Sequence, residues 1–265
     1  MKTGHITISA LLVGVFGYGL AQAPGTFDGS IILGRPTDRS ITLNVLANRS
    51  LATYVEYGIR PGAYAGKTGV AKLEPGKPLE IALEPLKRDT RYYYRLRYRQ
   101  PGAAEYSAAA ENSFHTQRPP GGTFTFGVQG DSHPERLDRM YRPDLYVRTI
   151  EIVRRDRPDF YIMLGDDFSV DQLYNHDTMN SETVGSLYSN QRRILGPMAA
   201  STSLFLVNGN HEQAAAYLLN GTPNSPPVLA GVARNLFFPN PAPDSFYSGD
   251  TDKVEGGGRG TAQGT

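Results

Sequence analysis

The sequence has 265 residues, of which 39% are hydrophobic and 20% charged, and its formal net charge is +1. That size and composition suit one large globular domain or two smaller ones, while the near-neutral balance gives no overall field to draw the chain to nucleic acid or to an acidic membrane surface. The chain has no cysteine, which excludes disulfides and thiolate metal sites, so any metal must sit on oxygen and nitrogen ligands.

At the N-terminus, Lys2 and His5 precede an apolar run from Ile6 to Leu20 that ends in Ala21-Gln22-Ala23. A basic start, an apolar middle and a small-x-small end are the layout of a secretory signal peptide, assigned to residues 1–23, with Ala21 as a second cleavage position. The run is short for a spanning helix and carries Gly14, Gly17 and Gly19. The expectation is a secreted or periplasmic protein with no stable membrane anchor once the signal is removed.

Residues 24–118 are expected to form an all-β sandwich. Short strand-like runs at Ser30–Leu33, Ser40–Leu46, Thr53–Tyr57, Leu79–Leu83, Tyr92–Tyr98 and Ser113–Thr116 alternate with turn signals. In the run from Arg91 to Arg99, period-two alternation puts Tyr92, Tyr94, Leu96 and Tyr98 on one face and Arg91, Tyr93, Arg95, Arg97 and Arg99 on the other. A basic, aromatic stripe can bind single-stranded nucleic acid. Here it is assigned instead to a core face backed by a solvated one, and no nucleic-acid partner is expected. Leu86, Thr90 and Tyr92 resemble the tyrosine-corner pattern of fibronectin type III domains.

Two prolines and two glycines in Arg118-Pro119-Pro120-Gly121-Gly122 break the pattern and mark a domain boundary. Beyond it the periodicity changes. Phe124–Gln129, Phe160–Leu164 and Leu204–Val207 read as apolar strands. Pro143–Asp156 reads as a helix with proline in its first turn, and Asn190–Ala200 as a weaker one. Strands alternating with helices imply βαβ units and a largely parallel sheet over residues 119–250. Phe168 to Glu182 reads as a polar loop carrying Tyr174, His176 and Asp177. The glycine-rich end, residues 251–265, is expected to be a disordered tail.

All three strands run into polar residues after a glycine: Gly130-Asp131-Ser132-His133, Gly165-Asp166-Asp167 and Gly209-Asn210-His211-Glu212. If the strand ends meet at one sheet edge they gather Asp131, His133, Asp166, Asn210 and His211, a donor set that suits Mn, Fe, Zn or Ni. A carboxylate on its own loop is placed to bridge two ions, and two ions can clamp a phosphoryl group and acidify a water.

In type and order these three stretches resemble the first three motifs of the calcineurin-like metallophosphoesterases. A sandwich ahead of such a domain resembles the layout of purple acid phosphatases and their bacterial relatives. The resemblance implies an αββα sandwich, a centre of two divalent metals (Mn, Fe or Zn) and hydrolysis of a phosphate ester. It implies that Asp131 and His133 hold the first metal, that Asp166 bridges and that Asn210 holds the second. His211 then contacts the phosphate or protonates the leaving group. Glu212 is placed on the substrate side, orienting His211.

Two departures follow. Ser169 stands where purple acid phosphatases carry their tyrosine, and His133 where they usually carry glycine, so no Fe(III)–tyrosinate site is expected. The family supplies further histidines after the third motif, whereas the five here lie at 5, 115, 133, 176 and 211. The domain is therefore expected to be truncated, an N-terminal part of a longer enzyme that binds metal weakly or at one site. The alternative is a non-catalytic secreted or surface binding protein with a degenerate phosphoesterase domain. A serine hydrolase is disfavoured because no Gly-x-Ser-x-Gly stretch is present.

Overall fold

The computed structural model describes residues 27–214 and 221–249. The expected signal peptide and tail therefore lie outside the described residues. Nine strands come first: β1 (Gly29–Gly34), β2 (Ile41–Ala47), β3 (Leu51–Gly58), β4 (Gly66–Lys67), β5 (Ala71–Leu73), β6 (Leu79–Leu83), β7 (Arg91–Arg99), β8 (Ser107–Ala108) and β9 (Asn112–His115). They make two antiparallel sheets. One has the order β1-β2-β6; in the other β3 and β7 pair at the centre, with β4 and β5 on β3 and with β8 and β9 on β7. Leu33, Leu43, Val45 and Leu83 of the first sheet share a core with Val55, Tyr94, Leu96 and Phe114 of the second.

The alternation expected along β7 is present: Tyr92, Tyr94 and Leu96 are buried. Most donors of the arginines opposite are engaged within the sheet, although Arg97 Nε is buried without a partner. Arg95 and Arg97 reach Glu56, and Arg97 and Arg99 also donate to carbonyls of the 103–106 turn. Arg95 and Arg99 lie over the rings of Tyr64 and Tyr106. The Tyr92 hydroxyl accepts the Lys87 N–H at 2.8 Å, which pins the turn before β7 as a tyrosine corner does.

The second part contains β10 (Phe126–Gln129), α1 (Pro143–Asp156), β11 (Phe160–Met163), α2 (Asp171–Asn175), α3 (Ser181–Ala199), β12 (Ser203–Leu206), a 3-10 turn (His211–Gln213) and α4 (Pro226–Phe237). The three strands form a parallel sheet in the order β10-β11-β12. The α1 helix has the expected span, with Pro143 in its first turn and Tyr146 and Ile150 buried; Arg157 at φ 52° ends it in the left-handed region.

Two expectations are corrected here. The segment Phe168 to Glu182 is only in part the expected polar loop: Phe168, Ser169 and Val170 are buried and α2 lies within it, while Tyr174, His176 and Asp177 are exposed. Phe168 stacks on Tyr188 with centroids 4.4 Å apart, which draws the segment inward. The helix expected from Asn190 begins at Ser181, because Asn180 and Thr183 form a capping box that satisfies the first-turn N–H groups.

The sandwich and the parallel sheet share a core. Ile31 and Leu33 of β1 face the sandwich interior, while Ile32 packs with α3 residues Leu195 and Met198. Arg192 of α3 is fully buried at this junction. It donates to Ser30 Oγ (2.8 Å), Asn44 Oδ1 (2.5 Å) and Asn44 O (2.8 Å), and also to the Phe237 carbonyl at the end of α4. Burial pulls its pKa down to about 9, so it remains charged at neutral pH.

One face of the parallel sheet, carrying Tyr161, Met163 and Leu204, is buried against the helices. The other carries Phe126 and Val128 of β10, Phe160 and Ile162 of β11, and Phe205 of β12, and no described element covers it. Phe126 is 49% exposed and Leu164, just past β11, 52%. Phe160 stacks on Phe126 and Phe124 at 5.3 and 5.8 Å. Parallel sheets are normally covered on both faces.

Replacing Arg192 with Ala strands buried acceptors on both sides of the junction. Urea unfolding should show a loss of about 3 kcal/mol or more. By contrast, Val128→Thr on the open face should change stability by less than about 0.5 kcal/mol, whereas Met163→Thr on the buried face should cost about 2 kcal/mol or more in the same assay.

Candidate metal centre

The register of the parallel sheet aligns Gln129, Met163 and Leu206 at the carboxyl ends of the strands. The loops that follow therefore leave the sheet at one level, where an open α/β sheet presents its chemistry. Pairing continues past the strands: Leu164 N–H donates to Gln129 O, Asp131 N–H to Gly165 O (3.0 Å) and His133 N–H to Asp166 O (3.0 Å). These bonds hold the first two loops together.

Asp131, His133 and Asp166 all have positive φ, at 55°, 43° and 59°. Non-glycine residues enter this region at a cost of order 1 kcal/mol each, and such strain collects at functional sites. Two glycines are required by close approach. A Cβ on Gly165 would lie 2.0 Å from Gly209 N, and one on Gly209 would lie 2.1 Å from Asp166 Oδ1.

His133 and Asp166 are buried and His211 half-buried, and ligand atoms of the three all lie within 4.8 Å of one another. His133 Nε2 is 3.7 Å from Asp166 Oδ2. Asp166 Oδ1 accepts the His211 N–H at 2.9 Å, which fixes the carboxylate between the second and third loops. The two imidazoles meet edge to face with centroids 4.9 Å apart. Asp131 sits at the rim: its side chain is 75% exposed and its Oδ1 is 3.8 Å from His133 Nε2. Asn210 is half-buried just ahead of the 3-10 turn. Its carbonyl accepts the Gln213 N–H, and its side chain makes no capping bond, which leaves the amide free of the turn's own needs.

Glu212, expected on the substrate side, does something else. It is 1% exposed, and its oxygens accept four backbone N–H groups: Asp166 (2.9 Å) and Gly209 (2.7 Å) on Oε2, Asp167 and Phe168 (both 2.9 Å) on Oε1. A carboxylate engaged this way cannot reach a substrate or orient an imidazole. It ties the second loop to the third.

Two acidic residues absent from the sequence reading bind the histidines. Glu135 Oε1 is 2.8 Å from His133 Nδ1, and Asp171 Oδ2 is 2.5 Å from His211 Nδ1. A carboxylate accepts, so in each pair Nδ1 is the donor and Nε2 is the ring nitrogen turned toward the cluster. A sequence signal exists only in principle: a ligating histidine needs an acceptor for its second nitrogen. Below the site, Gln129 Nε2 donates to Asp167 Oδ1 (2.9 Å) and to the Tyr146 hydroxyl (2.8 Å), while the Tyr161 hydroxyl donates to Gln129 Oε1. Burial raises the Asp167 pKa to about 6, against the donor Gln129, which lowers it.

The residues present fit a divalent cation. The donors are imidazole nitrogen and carboxylate oxygen, and Glu135 Oε2, Asp167 Oδ2 and Asp171 Oδ1 are buried without a hydrogen-bond partner.

No protein-family profile and no curated protein matches this sequence. Solved structures do. The structure of PhoD superposes with a TM-score of 0.55 at 14% identity, covering 84% of this chain and 49% of that one. Purple acid phosphatase PPD1 from yellow lupin (Lupinus luteus) seeds superposes with a TM-score of 0.60 at 17% identity, covering 84% of this chain and 42% of that one. The chain shares its fold with these two structures over most of its length. This chain spans less than half the length of either neighbour.

Replacing Glu212 with Ala leaves four buried N–H groups without their acceptor. The expected result is a loss of about 3 kcal/mol or more of stability in urea unfolding, with a parallel loss of Mn²⁺ binding by calorimetry. Glu135→Gln, which can present a donor to His133 Nδ1, should weaken Mn²⁺ binding about tenfold or more in the same titration.

Proposed function

We propose that this chain is the N-terminal part of a metal-dependent phosphoesterase, with a fibronectin III-like sandwich over residues 24–118 and a truncated αββα domain over residues 119–250. The observation that carries the function is the convergence of His133, Asp166 and His211 at one sheet edge, with ligand atoms within 4.8 Å. The uncovered apolar face of the parallel sheet and the longer chains of both neighbours support the truncation. The strand order of the sandwich and the Tyr92 corner support the fibronectin III assignment.

In this reading Asp131 and His133 hold one divalent ion, Asp166 is shared and Asn210 serves a second; Mn, Fe and Zn all suit the donors. Bound there, the ions supply Lewis-acid activation of water and neutralise charge on the phosphoryl oxygens. The protein's own residues set the geometry. Asp171 holds Nδ1 of His211 and so turns Nε2 toward the reacting group, where it contacts the phosphate or passes a proton to the leaving oxygen. Glu135 does the same for His133. Residues 1–23 act as a secretory signal, and the working location is periplasmic or extracellular. No helix among the described residues is long and apolar enough to cross a membrane.

The test is hydrolysis of an aryl phosphate by the full-length gene product with added Mn²⁺ or Zn²⁺. Asp166→Ala and His211→Ala should each lower turnover about a hundredfold or more, and a chelator should abolish it. Unchanged turnover in both variants would overturn the assignment.

A further inference from the structure

The turn after the first motif carries a cation that no role above uses. Arg136 follows Glu135 directly, and its backbone is anchored: its N–H donates to His133 O (2.9 Å), and its carbonyl accepts from Arg139, Met140 and Tyr141 (3.1 Å each). The Gln172 side chain of α2 holds the neighbouring Glu135 carbonyl at 2.9 Å. An arginine presented on such a turn has a fixed starting point, so little order remains to be gained when its head binds something.

Its guanidinium is turned into the centre. Nη2 lies 3.3 Å from His211 Nε2, Nη1 donates to Met140 Sδ at 3.1 Å, and Nε is 3.3 Å from Glu135 Oε1. Asp171 holds the Nδ1 proton of His211, so the Nε2 that meets Arg136 is the ring's acceptor. The contact to Glu135 is not a paired fork. Glu135 Oε1 is already taken by His133 at 2.8 Å, and Oε2 has no partner. A guanidinium built only to pair with Glu135 would use both carboxylate oxygens. This one spends a single edge there and points the other at the cluster, with its side chain 34% exposed.

The remaining groups around the cluster are carboxylates: Asp131, Asp166, Glu135 and Asp171. An anionic ligand needs fixed positive charge here beyond any bound ion, and a planar five-donor head suits a tetrahedral oxyanion. We propose that Arg136 is the anion-binding arm of this site, held by Glu135, and that it takes a non-bridging oxygen of the phosphoryl group. In doing so it leaves His211 Nε2 open to the reacting atoms. The assignment rests on the phosphoesterase reading and names the residue that would recognise its substrate.

The experiment measures two affinities on the full chain: Mn²⁺ by electron paramagnetic resonance, and inorganic phosphate on the Mn²⁺-loaded protein by broadening of its ³¹P resonance. Arg136→Ala should keep Mn²⁺ affinity within about twofold and weaken phosphate about tenfold or more, as expected for a lost charge-assisted hydrogen bond. Arg136→Lys should recover part of the phosphate affinity. Arg139→Ala, an exposed arginine of the same turn, should change neither. Phosphate affinity within about twofold of the native chain in Arg136→Ala would overturn the arm while leaving the metal reading intact. Parallel loss of Mn²⁺ would overturn it too, by making Arg136 a support for His133 and His211. A native chain that binds no Mn²⁺ would overturn the metal reading and this assignment with it.

Discussion

The centre depends on one buried carboxylate. Glu212 is held by four N–H groups from two loops that leave different strands. Those bonds set the spacing between Asp166 and the Asn210-His211 turn. The Asp166 side chain then closes the link by accepting the His211 N–H. Each interaction uses the chain's own peptide groups, so the two loops keep their relation without an ion. Three positive-φ residues and the glycine contacts below ordinary Cβ distance are tolerated because this hydrogen bonding over-determines the backbone.

Outside that clamp the support is layered. The imidazoles are fixed by Glu135 and Asp171, and α4 contributes Arg234, whose Nη1 donates to Asn208 Oδ1 just ahead of the third motif. Burial lowers the Arg234 pKa, with the buried Glu212 and Tyr188 acting against that shift. The same helix delivers the Phe237 carbonyl to Arg192, which also grips β1 and β2. Helix α4 therefore touches both the sandwich and the loop that carries His211. The sandwich is a wall of the second core, with Ile32 and Leu46 inside it, and not a module on a free tether.

What could be read from sequence divides by range. Strands ending in glycine and then a polar ligand were visible because period-two patterning and glycine are local signals, and α1 was visible because Tyr146, Ile150 and Val153 repeat at helical spacing. The start of α3 was hidden by its polar first turns, although the Asn180–Thr183 cap was there to be read. Helix α4 has no local signal as clear: Pro226-Pro227 opens it, and its Leu229, Ala233 and Phe237 are buried. Glu135, Asp171 and the true work of Glu212 are contacts between loops. No local period encodes them, and proximity in sequence misled in the case of Glu212, which sits beside His211 yet faces the opposite way.

The open sheet face bears on how far the centre is complete. A parallel sheet with Phe126, Val128, Phe160, Ile162 and Phe205 on one side has the composition of an interior, and its stacked rings match those of a packed core. The ligand cluster stands at the end of the same sheet. A layer set against that face would bring its own strand ends to the same edge, beside His133 and Asp166. The described residues already satisfy the demands on their own side: oriented imidazoles, a fixed carboxylate and a clamped backbone. Among the described residues, Asp131 stands at the rim, and Glu135 Oε2 and Asp171 Oδ1 are buried without a hydrogen-bond partner. The uncovered hydrophobic face and the open side of the cluster thus belong to one sheet, the first a matter of packing and the second of coordination.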